Sequence, residues 1–300
     1  VAIVIVNWNR RKLLLEAVES CYATNWQDLE VIVVDNGSSD GSSESVLEHY
    51  PDVVLIRNKQ NAGFAIGSNQ GLERALEDKS DFILFLNNDA TLAEYAISEM
   101  VSFLNDHPRV GAVAPYIFYY ADRDLIWFGG GIVSIWQGKF AHRAIRERFD
   151  FTKHKQVRCD YLTGCAFLIK AECIKQVGDF DTTMGIYSED VDLSLRIRKN
   201  GWKLWTIPEA KCYHRVSVSS GGELSAFKAF HRGRSNAIII KRWAKIWEYP
   251  TLIVGGIIGG VAVSIKLLVM GRKNTVAALW FGIYKGLTGG AVPGRYEIGN

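Results

Sequence analysis

The chain has 300 residues, 48% hydrophobic and 22% charged, ample for a packed core in one large domain or two smaller ones. Its net charge of +3 is uneven: from Lys228 onward eleven Lys or Arg face two Asp or Glu, whereas the preceding part carries 24 basic against 30 acidic residues. An acidic body with a basic, apolar tail points to an anionic surface as partner, and no Lys/Arg run interleaved with aromatics marks a nucleic-acid site.

Val1 to Val6 is a β-branched run that reads as a strand. No basic leader precedes it, so no signal peptide is expected there, and without an initiator Met a few native residues are expected ahead of it. Leu14, Ala17, Val18 and Cys21 recur at helical spacing, and Val31 to Val34 is strand again. Val53 to Ile56 is a third strand, Phe64 to Leu76 a helix, Phe82 to Leu86 a buried central strand, and Val110 to Ala114 another. Strands alternating with helices predict a mostly parallel α/β sheet covered on both faces. Residues 116 to 160 read as irregular and aromatic. Phe167 to Ile169 is a strand, Val191 to Lys199 a helix ending near Gly201, and Lys203 to Ile207 closes the sheet before Pro208.

The tail differs. Tyr249 to Ile265 holds 17 uncharged residues, at the lower limit for a membrane span, and Pro250 and four glycines weaken it. Lys266, Arg272, Lys273, Trp280, Phe281, Tyr284 and Lys285 follow among short apolar segments. That mixture suits an interfacial or re-entrant membrane helix; the alternatives are a buried helical hairpin or a homo-oligomer contact. The five cysteines form no C-x-x-C pair and no zinc spacing, which fits reduced, buried thiols in the cytosol.

Two acidic clusters carry the chemistry. Asn87-Asn88-Asp89 follows the central strand, at the carboxyl edge where open α/β sheets bind ligands. Asp89 could hold a divalent cation that neutralises a diphosphate. Glu189-Asp190-Val191-Asp192 offers a general base, or else only charge stabilisation of a helix N-terminus. Asp192 and Arg196 stand at i,i+4 spacing and pair with each other. Asp35 to Ser42 (DNGSSDGS) and Asn61 to Asn69 (NAGFAIGSN) are turn-forming stretches that each alone would read as a solvated loop or a weak glycine pattern.

In combination these stretches, with Tyr161 to Lys170 (YLTGCAFLIK) and Tyr187 to Trp202 (YSEDVDLSLRIRKNGW), are specific. Their order resembles the family 2 glycosyltransferases, particularly the bacterial rhamnosyltransferase-like branch, over roughly residues 1 to 240. The resemblance implies a GT-A fold, a nucleoside-diphosphate sugar donor (UDP- or dTDP-linked), and transfer with inversion to a polysaccharide or lipid-linked glycan. It implies Asp35 at the nucleobase, Asn61 and Gly63 beside the nucleoside, and Asn88 with Asp89 at the D-x-D-like motif. Asp89 would ligate Mn²⁺ or Mg²⁺; Asn87 stands where many relatives have Asp, one formal charge fewer near the cation. Asp190 matches the catalytic base, with Glu189 beside it. His214 matches a region where some relatives place a further metal ligand or diphosphate contact. Arg232 and Arg234 belong to a basic segment that could fold over the diphosphate, and Gly164 to a small-residue turn flanking the donor sugar. Asn7 and Asn69 complete the expected donor site. Read from the residues alone, Trp127 to Gly131 and Trp136 line an acceptor groove, since aromatic faces suit sugar rings, or else are ordinary core.

The expected organisation is a GT-A domain over 1–225, with a donor half to about residue 115 and an acceptor half beyond, then a helical tail over 226–300 at the cytoplasmic face of the membrane. Two other classes are weighed. A sugar nucleotidyltransferase would begin with a Gly-rich basic loop, and Asn7 to Arg11 has no glycine. A non-catalytic nucleotide-sugar scaffold is disfavoured by the presence of both Asp89 and Asp190. An NAD-binding reading fails because no G-x-G-x-x-G follows the first strand.

Overall fold

A computed structural model describes residues 1–216, 225–290 and 292–297. The chain divides into two compact units. The first comprises residues 1–131, 142–181 and 190–216; the second comprises 132–141, 182–189 and 217–300.

The first unit opens with β1 (Ala2–Asn7), α1 (Arg11–Tyr22), β2 (Glu30–Asp35), α2 (Ser42–His49), β3 (Val54–Arg57), α3 (Phe64–Glu77) and β4 (Phe82–Leu86). β3, β2, β1 and β4 pair in parallel in that spatial order. Their runs are apolar because both faces are covered: Ile3, Ile5, Ile32 and Val33 are wholly buried. The four α1 residues picked out by spacing, Leu14, Ala17, Val18 and Cys21, are its buried face. β5 (Ala90–Leu92), α4 (Ala96–Asp106), β6 (Val110–Tyr119) and β7 (Asp122–Phe128) follow.

The segment read as irregular contains further strands: the rest of β6, β7, β8 (Gly131–Ser134), β9 (Lys139–His142) and β10 (Val157–Cys159). The last three span three or four residues, too short for a period to declare itself. β11 (Ala166–Lys170) inserts antiparallel between β4 and β6, so the sheet is mixed. After α5 (Ala171–Val177) and α6 (Glu189–Lys199), β12 (Lys203–His214) runs past Pro208 rather than stopping there. A register shift between Ile207 and Lys211 takes the proline out of the ladder, where its missing N–H costs nothing. That extension carries His214 to the site.

α3 lies unusually close to β1. A Cβ at Gly67 would stand 2.9 Å from Val6 Cγ1, and one at Gly71 would overlap Val4. Gly71→Val is therefore expected to destabilise the first unit by about 1–3 kcal/mol through overpacking, measured as a lower unfolding midpoint. An unchanged midpoint would mean that α3 moves away from β1 without cost.

In the second unit, β8 and β9 form a hairpin, followed in the tail by α7 (Ala226–Trp243), α8 (Tyr249–Val269) and α9 (Lys273–Thr288). Gly282 and Gly286 of α9 sit against the backbone of Phe230 and Arg234 of α7, so the two helices nearly touch. α8 is continuous because Pro250 lies in its first turn, where proline is tolerated. Residues Ile246–Val269 are long and apolar enough to cross a membrane. Only Leu252 and Leu267 of α8 are buried.

Candidate active site

Because β1, β2 and β4 are parallel, their carboxyl ends lie side by side, and the polar residues after them meet there. Asn7 is fully buried and links all three. Its Nδ2 donates to Asp35 Oδ1 at 3.1 Å, and Asn88 Nδ2 donates to Asn7 Oδ1 at 2.7 Å. Asp35 is 3% exposed and saturated with donors: Ser38 Oγ reaches Oδ1 at 2.5 Å, while Ser38 N and Ser43 Oγ reach Oδ2 at 3.1 and 2.8 Å. Ser38 lies inside the serine-rich DNGSSDGS stretch, and Ser43, which directly follows it, carries no signal of its own in the sequence.

The neighbouring loop is tied in by Asn36, whose Nδ2 donates to Gly63 O at 3.1 Å, and by Asn61 Oδ1, which accepts from Gly63 N at 3.0 Å. Gly63 adopts φ +86°, a backbone state that disfavours any side chain, just before α3 begins. Asn69 turns to Phe180, donating to its carbonyl and accepting from its N–H at 2.8 and 2.9 Å. It thereby anchors the segment ahead of residues 182–189.

Asp89 is 7% exposed, and its Oδ1 makes no hydrogen bond. His214 Nε2 stands 3.1 Å from that oxygen, placed by the pairing of His214 with Ala90 across β12 and β5. The other ring nitrogen of His214 is buried without a partner, and Trp127 packs edge-on against the ring at 4.5 Å. Arg215, not foreseen, donates its N–H to the Asp89 carbonyl at 2.9 Å and holds its guanidinium over Tyr120. A desolvated carboxylate oxygen facing an imidazole without a hydrogen bond is a donor pair that fits a divalent cation. No group of three or more His, Cys, Asp or Glu is gathered for a metal among the described residues. Mg²⁺ or Mn²⁺ bound by one or two protein groups plus diphosphate oxygens needs no larger cluster.

Asp190 lies in the first turn of α6. Its two oxygens accept from Gly164 N at 2.9 Å and Val191 N at 2.8 Å. A Cβ at Gly164 would crowd Phe64 at 3.3 Å and meet Asp190 Cβ at an ordinary 3.7 Å. Burial pushes the Asp190 carboxyl above the ordinary aspartate value, against the lowering effect of these N–H groups. Burial, with the Asp190 charge adding, also pushes Tyr161 up. Asp192 forms the expected i,i+4 pair with Arg196 at 2.8 Å.

In the second unit, α7 holds the stretch that ends at Glu189. Arg234 donates to the carbonyls of Met184 and Thr183 at 2.9 and 3.1 Å, and Ser235 Oγ to Ile186 O at 2.9 Å. Arg232 lies over the Tyr187 ring, and Ser188 Oγ donates to Asn236 Oδ1 at 3.3 Å. Both expected diphosphate arginines thus sit against this stretch. Tyr187 and Ser188 have φ of +71° and +65°, consecutive left-handed residues just ahead of buried Glu189. All five cysteines are free and buried.

Residues 2–178 match the family model described as Glycosyl transferase family 2. The chain is 25% identical over 239 residues to an N-acetylglucosaminyl-diphospho-decaprenol L-rhamnosyltransferase of Mycobacterium tuberculosis, covering 74% of this chain and 78% of that protein. It is 22% identical over 220 residues to a poly-beta-1,6-N-acetyl-D-glucosamine synthase of Staphylococcus aureus, covering 72% of this chain and 50% of that one. Among solved structures, the mannosyltransferase PcManGT from Pyrobaculum calidifontis in complex with GDP-Man and Mn²⁺ aligns with TM-score 0.59 and 18% identity. That alignment covers 95% of this chain and 86% of PcManGT. GalNAc-T7 with UDP, GalNAc and Mn²⁺ aligns with TM-score 0.60 and 17% identity over 85% of this chain and 54% of that one. The fold is thus the expected GT-A type.

Proposed function

The chain belongs to glycosyl transferase family 2, and on that premise we propose an inverting transfer of one sugar from a UDP- or dTDP-sugar to a lipid-linked glycan or polysaccharide acceptor. The observation that carries this reading is the division of labour between two buried carboxyl groups. Asp89 keeps an unbonded oxygen beside His214, and Asp190 is held by two N–H groups at a helix start.

Asp89 and His214 would hold the divalent cation, which when bound supplies positive charge to the departing diphosphate. The network of Asn7, Asp35 and Asn88, with the Asn61–Gly63 turn, shapes the wall against which the nucleoside is oriented. Asp190 takes the proton from the acceptor hydroxyl as its oxygen bonds to the anomeric carbon and the bond from that carbon to the diphosphate oxygen breaks. Attack from the face opposite the leaving group inverts the centre. Glu189 adjoins the base and orients the acceptor. Support for a membrane-facing enzyme comes from the apolar Ile246–Val269 segment and from the decaprenol-linked sugar in the name of the mycobacterial relative. The basic tail would favour the anionic cytoplasmic face.

Calorimetry with a panel of nucleoside diphosphates, with Mn²⁺ or with chelator, tests the reading. Metal-dependent binding of one of them is expected; a folded protein that binds none would overturn the donor site. The raised Asp190 carboxyl sets the pH dependence. Below its value the group is protonated and cannot accept a proton, so kcat/KM is expected to fall with an acid limb above 3.8, the ordinary aspartate value. The stability sign is opposite: ionised Asp190 costs folding free energy at neutral pH, a cost relieved as pH falls through the raised value. An acid limb at or below 3.8 would count against Asp190 as the base.

A further inference from the structure

Resting on that transferase reading, we propose that the second unit carries a groove for the lipid-diphosphate portion of the acceptor. An open groove with a volume of about 610 Å³ lies within this unit. The β8–β9 hairpin supplies Trp136, Lys139 and Phe140, α7 supplies Asn236, and α8 supplies Thr251 and Gly255.

Each wall has a distinct chemistry. Trp136 is 52% exposed and, with Phe140, offers aromatic faces to an apolar chain or a sugar ring. Lys139 brings a positive charge suited to phosphate oxygens, and Asn236 and Thr251 bring polar groups. Gly255 has no atom within 4 Å of where a Cβ would stand, so the groove is uncovered where α8 borders it. One turn beyond it, on the same face of α8, Ile258 is exposed on a 24-residue apolar segment. A free nucleotide or a soluble sugar gains nothing from a wall that continues into an exposed isoleucine. A molecule with an anionic head and an isoprenoid tail matches both ends, its tail lying along α8 in the bilayer. Asn236, at the polar end, also bonds Ser188, two residues ahead of Asp190 in sequence. The head of the lipid would thus adjoin the stretch that delivers the base.

The test uses the full chain in phosphatidylcholine nanodiscs, with farnesyl diphosphate, inorganic diphosphate and farnesol as probes and tryptophan fluorescence and calorimetry as readouts. Saturable binding of farnesyl diphosphate is expected, undisplaced by nucleoside diphosphate and weakened at least tenfold by Gly255→Leu and by Trp136→Ala. Gly255→Leu fills open space and favours helix, and Trp136 is a surface residue, so neither change threatens folding. Equal binding of inorganic diphosphate would reduce the groove to an anion site, and equal binding of farnesol to bare lipid partition; either overturns the proposal, as does unchanged affinity in both variants. Nucleoside-diphosphate binding is measured on the same samples. If it persists while farnesyl diphosphate fails to bind, the groove alone falls; if both fail, the transferase reading falls with it.

Discussion

Asp190→Asn is expected to lower turnover by about 10²–10⁴-fold, the usual contribution of a positioned general base, with nucleoside-diphosphate binding unchanged. Asparagine keeps the size of the side chain and an oxygen for one of the two N–H groups now bonded, from Gly164 and Val191. It loses the basicity on which the proposed removal of the acceptor proton depends. Transfer of labelled sugar from the donor identified by calorimetry, with binding measured in parallel, separates the two readings. A non-catalytic scaffold would show no turnover before or after the change. Full turnover in the variant would place the base on another residue.

The second large effect concerns the cation. Asp89→Ala is expected to abolish the difference between nucleoside-diphosphate binding with Mn²⁺ and with chelator. Affinity should fall by at least about tenfold, since even outer-shell partners of metal ligands act on the scale of 10–100-fold. His214→Ala should move affinity the same way, because its Nε2 faces the same unbonded oxygen at 3.1 Å. Asp89→Ala removes the polar neighbour of His214 Nε2, so circular dichroism is recorded on the same variant and should show an intact fold. Binding by the wild type that ignores chelator would remove the cation from the mechanism and leave the Asp190 prediction standing.

Both predictions begin from residues visible in the chain, but their environments were not equally visible. Asp89 stood out because it follows an apolar run with the length and composition of a buried strand, Phe82 to Leu86. Its unbonded oxygen did not, since that depends on which residue β12 brings beside it. Reading the last strand as ending before Pro208 placed His214 in a loop; the bulge that absorbs the proline makes it a strand residue paired with Ala90. The resemblance implies diphosphate contacts for Arg232 and Arg234, and Asn69 is counted with the donor site. Their protein neighbours are what the sequence does not show: Asn69 bonds the Phe180 backbone, Arg234 the carbonyls of Met184 and Thr183, partners 111 and about 50 residues away, and Arg232 lies over Tyr187.

What the sequence by itself determined was local. Continuous apolar runs marked the parallel strands, because burying both faces of a strand removes any alternation, and helical spacing marked α1, whereas α2 and α4 left no such mark. Turn chemistry marked the loops at the strand ends, and composition set the apolar tail apart. What only the tertiary structure decided was which polar groups have partners and which do not. Hydrogen-bond satisfaction is a property of long-range neighbours: Asn7, Asp35 and Asn88 complete one another across three strands. The left-handed Tyr187 and Ser188 are ordinary residues whose strain arises from the stretch that α7 grips. The insertion of β11 between β4 and β6 also leaves no local trace, since a short apolar strand reads the same whether its partners run parallel or antiparallel.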